Sequence, residues 1–163
     1  MMNIVTALVG EHGPLRSQID ALALAAPRMS AEQLRAAALA LSSGIDSHAT
    51  LEDELLFAPL AASGLVPAGE VEEMFDDHRQ IEALLGQLVA PLAETVRADP
   101  QQTVSRLATL VRRHFEQEEN VLFPAALRAL DADELEELGA RWADRRGIDV
   151  GGLELSTFDA ARR

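Results

Sequence analysis

Six residues have the types and spacing of a metal site. His48 and Glu52 are four apart, as are His114 and Glu118, so each pair shares one face of a helix one turn apart. Two more histidines, His12 and His78, each lie 36 residues before the histidine of one pair. The halves therefore repeat at an offset of 66, at which Glu11 matches Asp77, Ile45 matches Val111, Asp53 matches Glu119 and Phe57 matches Phe123. All four histidines of the chain fall inside this repeat.

Taken singly, each residue has an ordinary explanation. A histidine on an apolar face is usually a hydrogen-bonded core residue, and i,i+4 polar pairs are common on helices. Together the six read differently, because all occupy positions of apolar helical stripes and would converge on one level of a core. An unpaired buried carboxylate or imidazole costs on the order of several kcal/mol. Six of them would exceed the roughly 5–15 kcal/mol stability of a domain. Two metal ions pair every one; a metal-free network of His–Glu hydrogen bonds is the alternative. Four imidazoles and two carboxylates suit iron, manganese or zinc rather than calcium or magnesium, which take oxygen shells.

The elements that must position these residues are helices, since no segment alternates like a strand. The first spans about residues 3–25 with the stripe Val5, Leu8, His12, Leu15, Ile19, Leu22, and Pro14 predicts a bend near His12. Ser30 and Gln33 form a capping box for a second helix reaching about Ala62, with the stripe Leu34, Leu41, Ile45, His48, Glu52, Leu55. The third begins near Pro67 and carries Val71, Met74, His78, Ile81, Leu85, Leu88 and Leu92. Asp99-Pro100 starts a fourth, with Val104, Leu107, Val111, His114, Glu118 and Val121, which Pro124 bends or ends. Asp131 and Glu134 cap a shorter fifth helix to about Arg145, carrying Leu135, Leu138 and Trp142.

This predicts an all-α fold: an up-down-up-down four-helix bundle over residues 1–130, with a pseudo-two-fold axis, and a short C-terminal helix. Residues 131–163 form that helix and a Gly-rich tail, packed on the bundle through Leu153 and Phe158 or partly disordered. At 163 residues the chain is one domain with a real core. The absence of cysteine excludes disulfides and thiolate ligands, and the absence of tyrosine leaves no phenol beside a redox site. A net charge of −13 argues against nucleic acid. Without a signal peptide or a ~20-residue apolar run, no membrane is expected and the cytoplasm is the default location.

A histidine on helix one, His48-x-x-x-Glu52 on helix two, a histidine on helix three and His114-x-x-x-Glu118 with Leu122-Phe123-Pro124 on helix four resemble the hemerythrin-like (HHE cation-binding) family over about residues 1–130. The resemblance implies a non-haem di-iron centre. His12 and His48 would bind one iron and His78 and His114 the other, bridged by Glu52, Glu118 and an oxo or hydroxo group, with manganese or zinc the less favoured occupants. It departs from the oxygen carriers in one respect. They have a fifth histidine one turn before the position of His78, where this chain has Met74, matched in the first half by Leu8. With two histidines per iron, both metals would have an open position, which suits two-electron chemistry with peroxide or dioxygen better than reversible oxygen storage.

The expected function is therefore a protective, catalase-like reaction with hydrogen peroxide or dioxygen. The alternatives are a carrier, sensor or iron-homeostasis protein that binds oxygen, nitric oxide or iron without turnover, and a structural bundle with zinc or no metal. Leu8, Met74, Phe57 and Phe123 are expected to line the site, the two phenylalanines keeping water out. Glu11 and Asp77 are candidates to hydrogen-bond a ligand imidazole on another helix. Asp53 and Glu119 read as a solvated face.

Overall fold

The computed structural model describes residues 2–90 and 99–149. Among these the chain is helical without strands, an all-α bundle with a short C-terminal helix. Helix α1 spans Ile4–Ala25, capped by the Asn3 side chain, and runs on through Pro14. Helix α2 covers Ala31–Glu52 behind the Ser30/Gln33 capping box. It passes through a wide π-helical turn, Asp53–Phe57, into α3, Ala58–Ser63, which ends at left-handed Gly64 (φ 66°). Helix α4 is Ala68–Val89. Helix α5, Pro100–Gln117, starts at the Asp99 cap and passes through a second π turn, Glu118–Leu122, into α6, Phe123–Ala129. Helix α7, Ala132–Arg145, opens on the Asp131/Glu134 capping box. The positions of Leu92, Leu153 and Phe158 lie outside the described residues.

The two π turns revise the sequence-based expectation. Pro124 neither ends its helix nor acts alone: the helix continues to Ala129. Pro59 and Pro124 would each crowd the carbonyl four residues back, on Leu55 and Asn120, and both of those residues lie inside a π turn. The wider turn removes the clash and lets the helix carry on. Both π turns begin directly at or after a site glutamate, so the repeat extends to this irregularity.

Two apolar clusters fill the bundle, and the polar residues lie between them. One joins the start of α1 (Ile4, Leu8), the end of α2 and α3 (Leu51 to Leu60), the start of α4 (Val71, Met74) and α6. The other joins the rest of α1 (Leu15 to Leu22), the start of α2, the end of α4 and α5. Starts pack against ends, which makes neighbouring helices antiparallel. Helix α7 joins the first cluster through Leu135, Leu138 and Trp142. It lies so close to the chain start that a Cβ on Gly139 would sit 2.5 Å from the Met2 carbonyl oxygen.

Helix α7 has no counterpart in the repeat, and that corrects one stripe residue. Leu55 is 1% exposed, with α7 packed on its turn, whereas Val121 at the matching position is 43% exposed.

Candidate metal centre

The stripes of α1, α2, α4 and α5 bring His12, His48, Glu52, His78, His114 and Glu118 together. Both glutamates and His12 are completely buried. Each glutamate divides its oxygens between the two halves. Glu52 Oε1 is 3.0 Å from His48 Nε2 and 3.5 Å from His12 Nε2, while its Oε2 is 3.4 Å from His78 Nε2. Glu118 Oε2 is 3.4 Å from His12 Nε2, and its Oε1 is 3.4 Å from His114 Nε2. The Nε2 atoms of His78 and His114 are 3.0 Å apart.

These separations test whether the residues fit metal. Two donor atoms about 2.1 Å from one ion and about 90° apart are about 3.0 Å from each other. The set spans 3.0–3.5 Å. His12 Nε2, His48 Nε2 and all four glutamate oxygens are buried without a hydrogen-bond partner. Buried polar atoms left in this way are costly unless something pairs them. Two overlapping groups, Glu52/His78/His114/Glu118 and His12/His48/Glu52, are close enough to hold metal ions, and the residues fit a two-metal occupant sharing Glu52.

Each imidazole turns its other nitrogen outward to a carboxylate. His12 Nδ1 is 2.7 Å from Glu119 Oε1, and His78 Nδ1 is 2.8 Å from Asp53 Oδ1. His48 Nδ1 is 2.7 Å from Glu11 Oε2, and His114 Nδ1 is 3.7 Å from Asp77 Oδ2. Such carboxylates fix the ring and leave the inward nitrogen free to ligate. Glu11 thus behaves as expected; Asp77 does not hydrogen-bond its imidazole, since 3.7 Å is too long and both His114 Nδ1 and Asp77 Oδ2 are buried without a partner. Asp53 and Glu119 do not form a solvated face. The roughly 100° that separates each from its site glutamate aims it across the seam at an imidazole of the adjoining helix. Their recurrence at matching positions in both halves was the available signal.

Arginines back three of these carboxylates: Arg16 on Glu119 (3.0 Å), Arg146 on Glu11 (2.6 Å) and Arg113 on Asp77. Sequence reasoning singled out none of them. Aromatic rings close the site. Phe57 stacks on His78 and Phe123 on His12, with centroids 5.5 and 5.6 Å apart. Leu8 and Met74 are buried in the same cluster as these rings. Phe115, not anticipated, lies flat on His12 at 4.0 Å.

Without metal the centre shares protons among its own groups. Burial raises the Glu118 carboxyl well above its usual range and the charge of Glu52 adds to it. Burial also opposes ionisation of Glu52, but the His48 charge and the surrounding imidazoles outweigh it and hold Glu52 well below its usual range. Burial pushes His48 down, yet the Glu52 charge and the hydrogen bond to Glu11 raise it to about 9. Burial also pushes His78 down, yet the hydrogen bond to Asp53 and the nearby Glu52 carboxylate raise it to about 9. His114 is lowered, chiefly by burial. The two carboxyls thus shift in opposite directions, Glu118 up and Glu52 down, while the His48 and His78 imidazoles shift up.

No helix among the described residues is long and apolar enough to cross a membrane. No curated protein and no solved structure matches the chain. The family model of the hemerythrin HHE cation-binding domain matches residues 3–126, a span that includes all six of the converging residues. The chain thus belongs to the hemerythrin HHE cation-binding family, whose domains bind metal ions, typically iron.

Proposed function

We propose that the chain holds two iron ions and reacts with hydrogen peroxide or dioxygen, as a protective protein of the cytoplasm. The observation that carries this reading is the division of each glutamate between the two histidine pairs: Glu52 presents Oε1 to His12 and His48 and Oε2 to His78, and Glu118 is split in the same way. A carboxylate placed so would serve both ions. His12 and His48 would hold one ion and His78 and His114 the other, with Glu52 and Glu118 shared. A bridged iron pair supplies two-electron redox chemistry to a small oxidant.

The residues of the chain perform the remaining tasks. Glu11, Asp53 and Glu119 orient the imidazoles of His48, His78 and His12 through Nδ1 and raise their basicity as ligands. For all six groups to ligate, Glu118, whose carboxyl burial pushes up, and the upshifted His48 and His78 would have to give up any proton they hold. Phe57, Phe115 and Phe123 shield the imidazoles from bulk water. Met74 and Leu8 supply no ligand at the level one turn away. That leaves each half with two imidazoles, and this equivalence favours a shared small oxidant over one-sided reversible binding.

The test combines metal analysis with peroxide decay. Protein isolated from iron-rich cells should contain about two irons per chain and evolve oxygen from added peroxide. Two irons with no peroxide turnover would instead identify a binding protein, and zinc or no retained metal would identify a structural bundle.

A further inference from the structure

The repeat duplicates the ligands but not the approach to them. Along the seam of α2 and α4 a cleft of about 370 Å³ opens, lined by Asp46, Ala49, Asp53, Phe75, His78 and Glu82 among others. The His78 side chain reaches this cleft and is 10% exposed, whereas those of His12, His48 and His114 are 0%, 3% and 1% exposed.

The equivalent seam of α1 and α5 is sealed by the residues that replace the cleft lining. At the offset of 66, Ala49 becomes Phe115 and Glu82 becomes Arg16. Phe115 covers the face of His12 at 4.0 Å, and the Arg16 guanidinium covers Phe115 at 5.4 Å while bonding Glu119. Farther along, Arg112 stands where the first half has Asp46, and it ties α5 to Asp20 of α1. One half is closed by an aromatic plug and two paired cations. The other, with a methyl group and acidic side chains at those positions, is open.

We propose that the α2/α4 cleft is the route by which ferrous ion enters the centre, arriving at His78. This rests on the reading of the six residues as a metal centre. The cleft has room for a divalent ion with six waters, on the order of 200 Å³ at the ~30 Å³ a water occupies in the liquid. Its titratable lining is Asp46, Glu82 and Asp53, together with Arg79, which is engaged by Asp76. Asp46 and Glu82 both line the mouth, where their like charges repel each other. A cation passing between them relieves that repulsion. Asp53, 35% exposed on its outer side and bonded to His78 Nδ1 on its inner side, connects the mouth to the ligand. An anion or a negatively charged chelate would be turned away by the same charges.

Two substitutions transplant the sealed seam onto the open one without touching a ligand: Ala49→Phe supplies the plug and Glu82→Arg supplies the cation. Metal-free wild type and variants are mixed with Fe2+ under nitrogen, and samples are quenched at intervals into a chromogenic chelator that captures unbound iron. Ala49→Phe should slow uptake about tenfold or more with the final iron content unchanged, and Glu82→Arg should slow it several-fold at low salt with the difference shrinking as salt screens the mouth. Circular dichroism confirms folding, and Glu82→Arg, at an exposed position, remains informative if Ala49→Phe does not fold. Uptake at the wild-type rate in the folded variants overturns the route while leaving the metal centre intact. A wild type that retains no iron overturns both.

Discussion

Arg146 grips Glu11 with two nitrogens, Nε 2.6 Å from Oε1 and Nη2 2.8 Å from Oε2, and that same Oε2 lies 2.7 Å from His48 Nδ1. Arg146 also reaches Ser47 Oγ, beside His48 on α2. It stands at the end of α7, beyond the family match, which stops at residue 126. The C-terminal helix therefore reaches the centre through one forked, charge-assisted contact.

Arg146→Gln should weaken metal retention by about 10–100-fold, the usual effect of losing an outer partner of a ligand imidazole, while Arg146→Lys, which keeps charge but not the fork, recovers part of it. Competition with a graded series of chelators measures this. Retention equal to wild type in Arg146→Gln would show that the contact only docks α7.

Glu52→Ala and Glu118→Ala should each lower the iron content from about two per chain toward one or none and abolish most peroxide turnover. Substituting one histidine should affect mainly the ion of its own half. Glu52 contacts both halves, at 3.0 Å on one side and 3.4 Å on the other. Elemental analysis of the purified variants decides it, and a Glu52→Ala protein with full iron would show that the carboxylate does not bridge.

The metal-free protein should lose stability as pH rises. His48 and His78 have folded values near 9, above the ~6.5 of an unfolded imidazole. A raised value means that their contribution is full below about pH 6.5 and disappears as pH passes through about 9. Glu118, raised by burial, acts in the same direction. The melting temperature should fall by on the order of several degrees across this window. Metal affinity should move oppositely, because the ion competes with those protons. Iron should thus raise the melting temperature more at pH 8 than at pH 6. A flat profile for the metal-free chain would contradict the protonated state of the two imidazoles.

Met74→His should lower peroxide turnover and leave iron content intact. Met74 lies one turn before His78 on α4, 1% exposed, in the cluster that closes the site. An imidazole there would add a third nitrogen to the His78/His114 half and end the equivalence of the two halves. Initial peroxide-decay rates at equal iron loading provide the comparison. An unchanged rate would remove the reason to prefer turnover over reversible binding.

The six converging residues and the helices that carry them were legible in the sequence, because burial follows periodicity. His12 lies in the stripe of Val5, Leu8, Leu15 and Ile19, so it must face inward wherever that stripe does. The 66-residue repeat then pointed the other five residues at it from matching positions. Capping residues such as Ser30 and Asp131 act within a few positions and were equally plain.

Contacts across the seams depended on how the helices rotate against one another, which no local pattern encodes. Glu119 meets His12 across 107 residues and Arg146 meets Glu11 across 135. The positions flanking each stripe look solvent-facing in one helix and become walls only once a neighbour supplies the other side. The π turns likewise reflect a balance between proline crowding and a continuous bundle helix. The open α2/α4 seam has the same origin: Ala49 and Phe115 are a small and a large residue in sequence, and only packing makes one a gap and the other a plug.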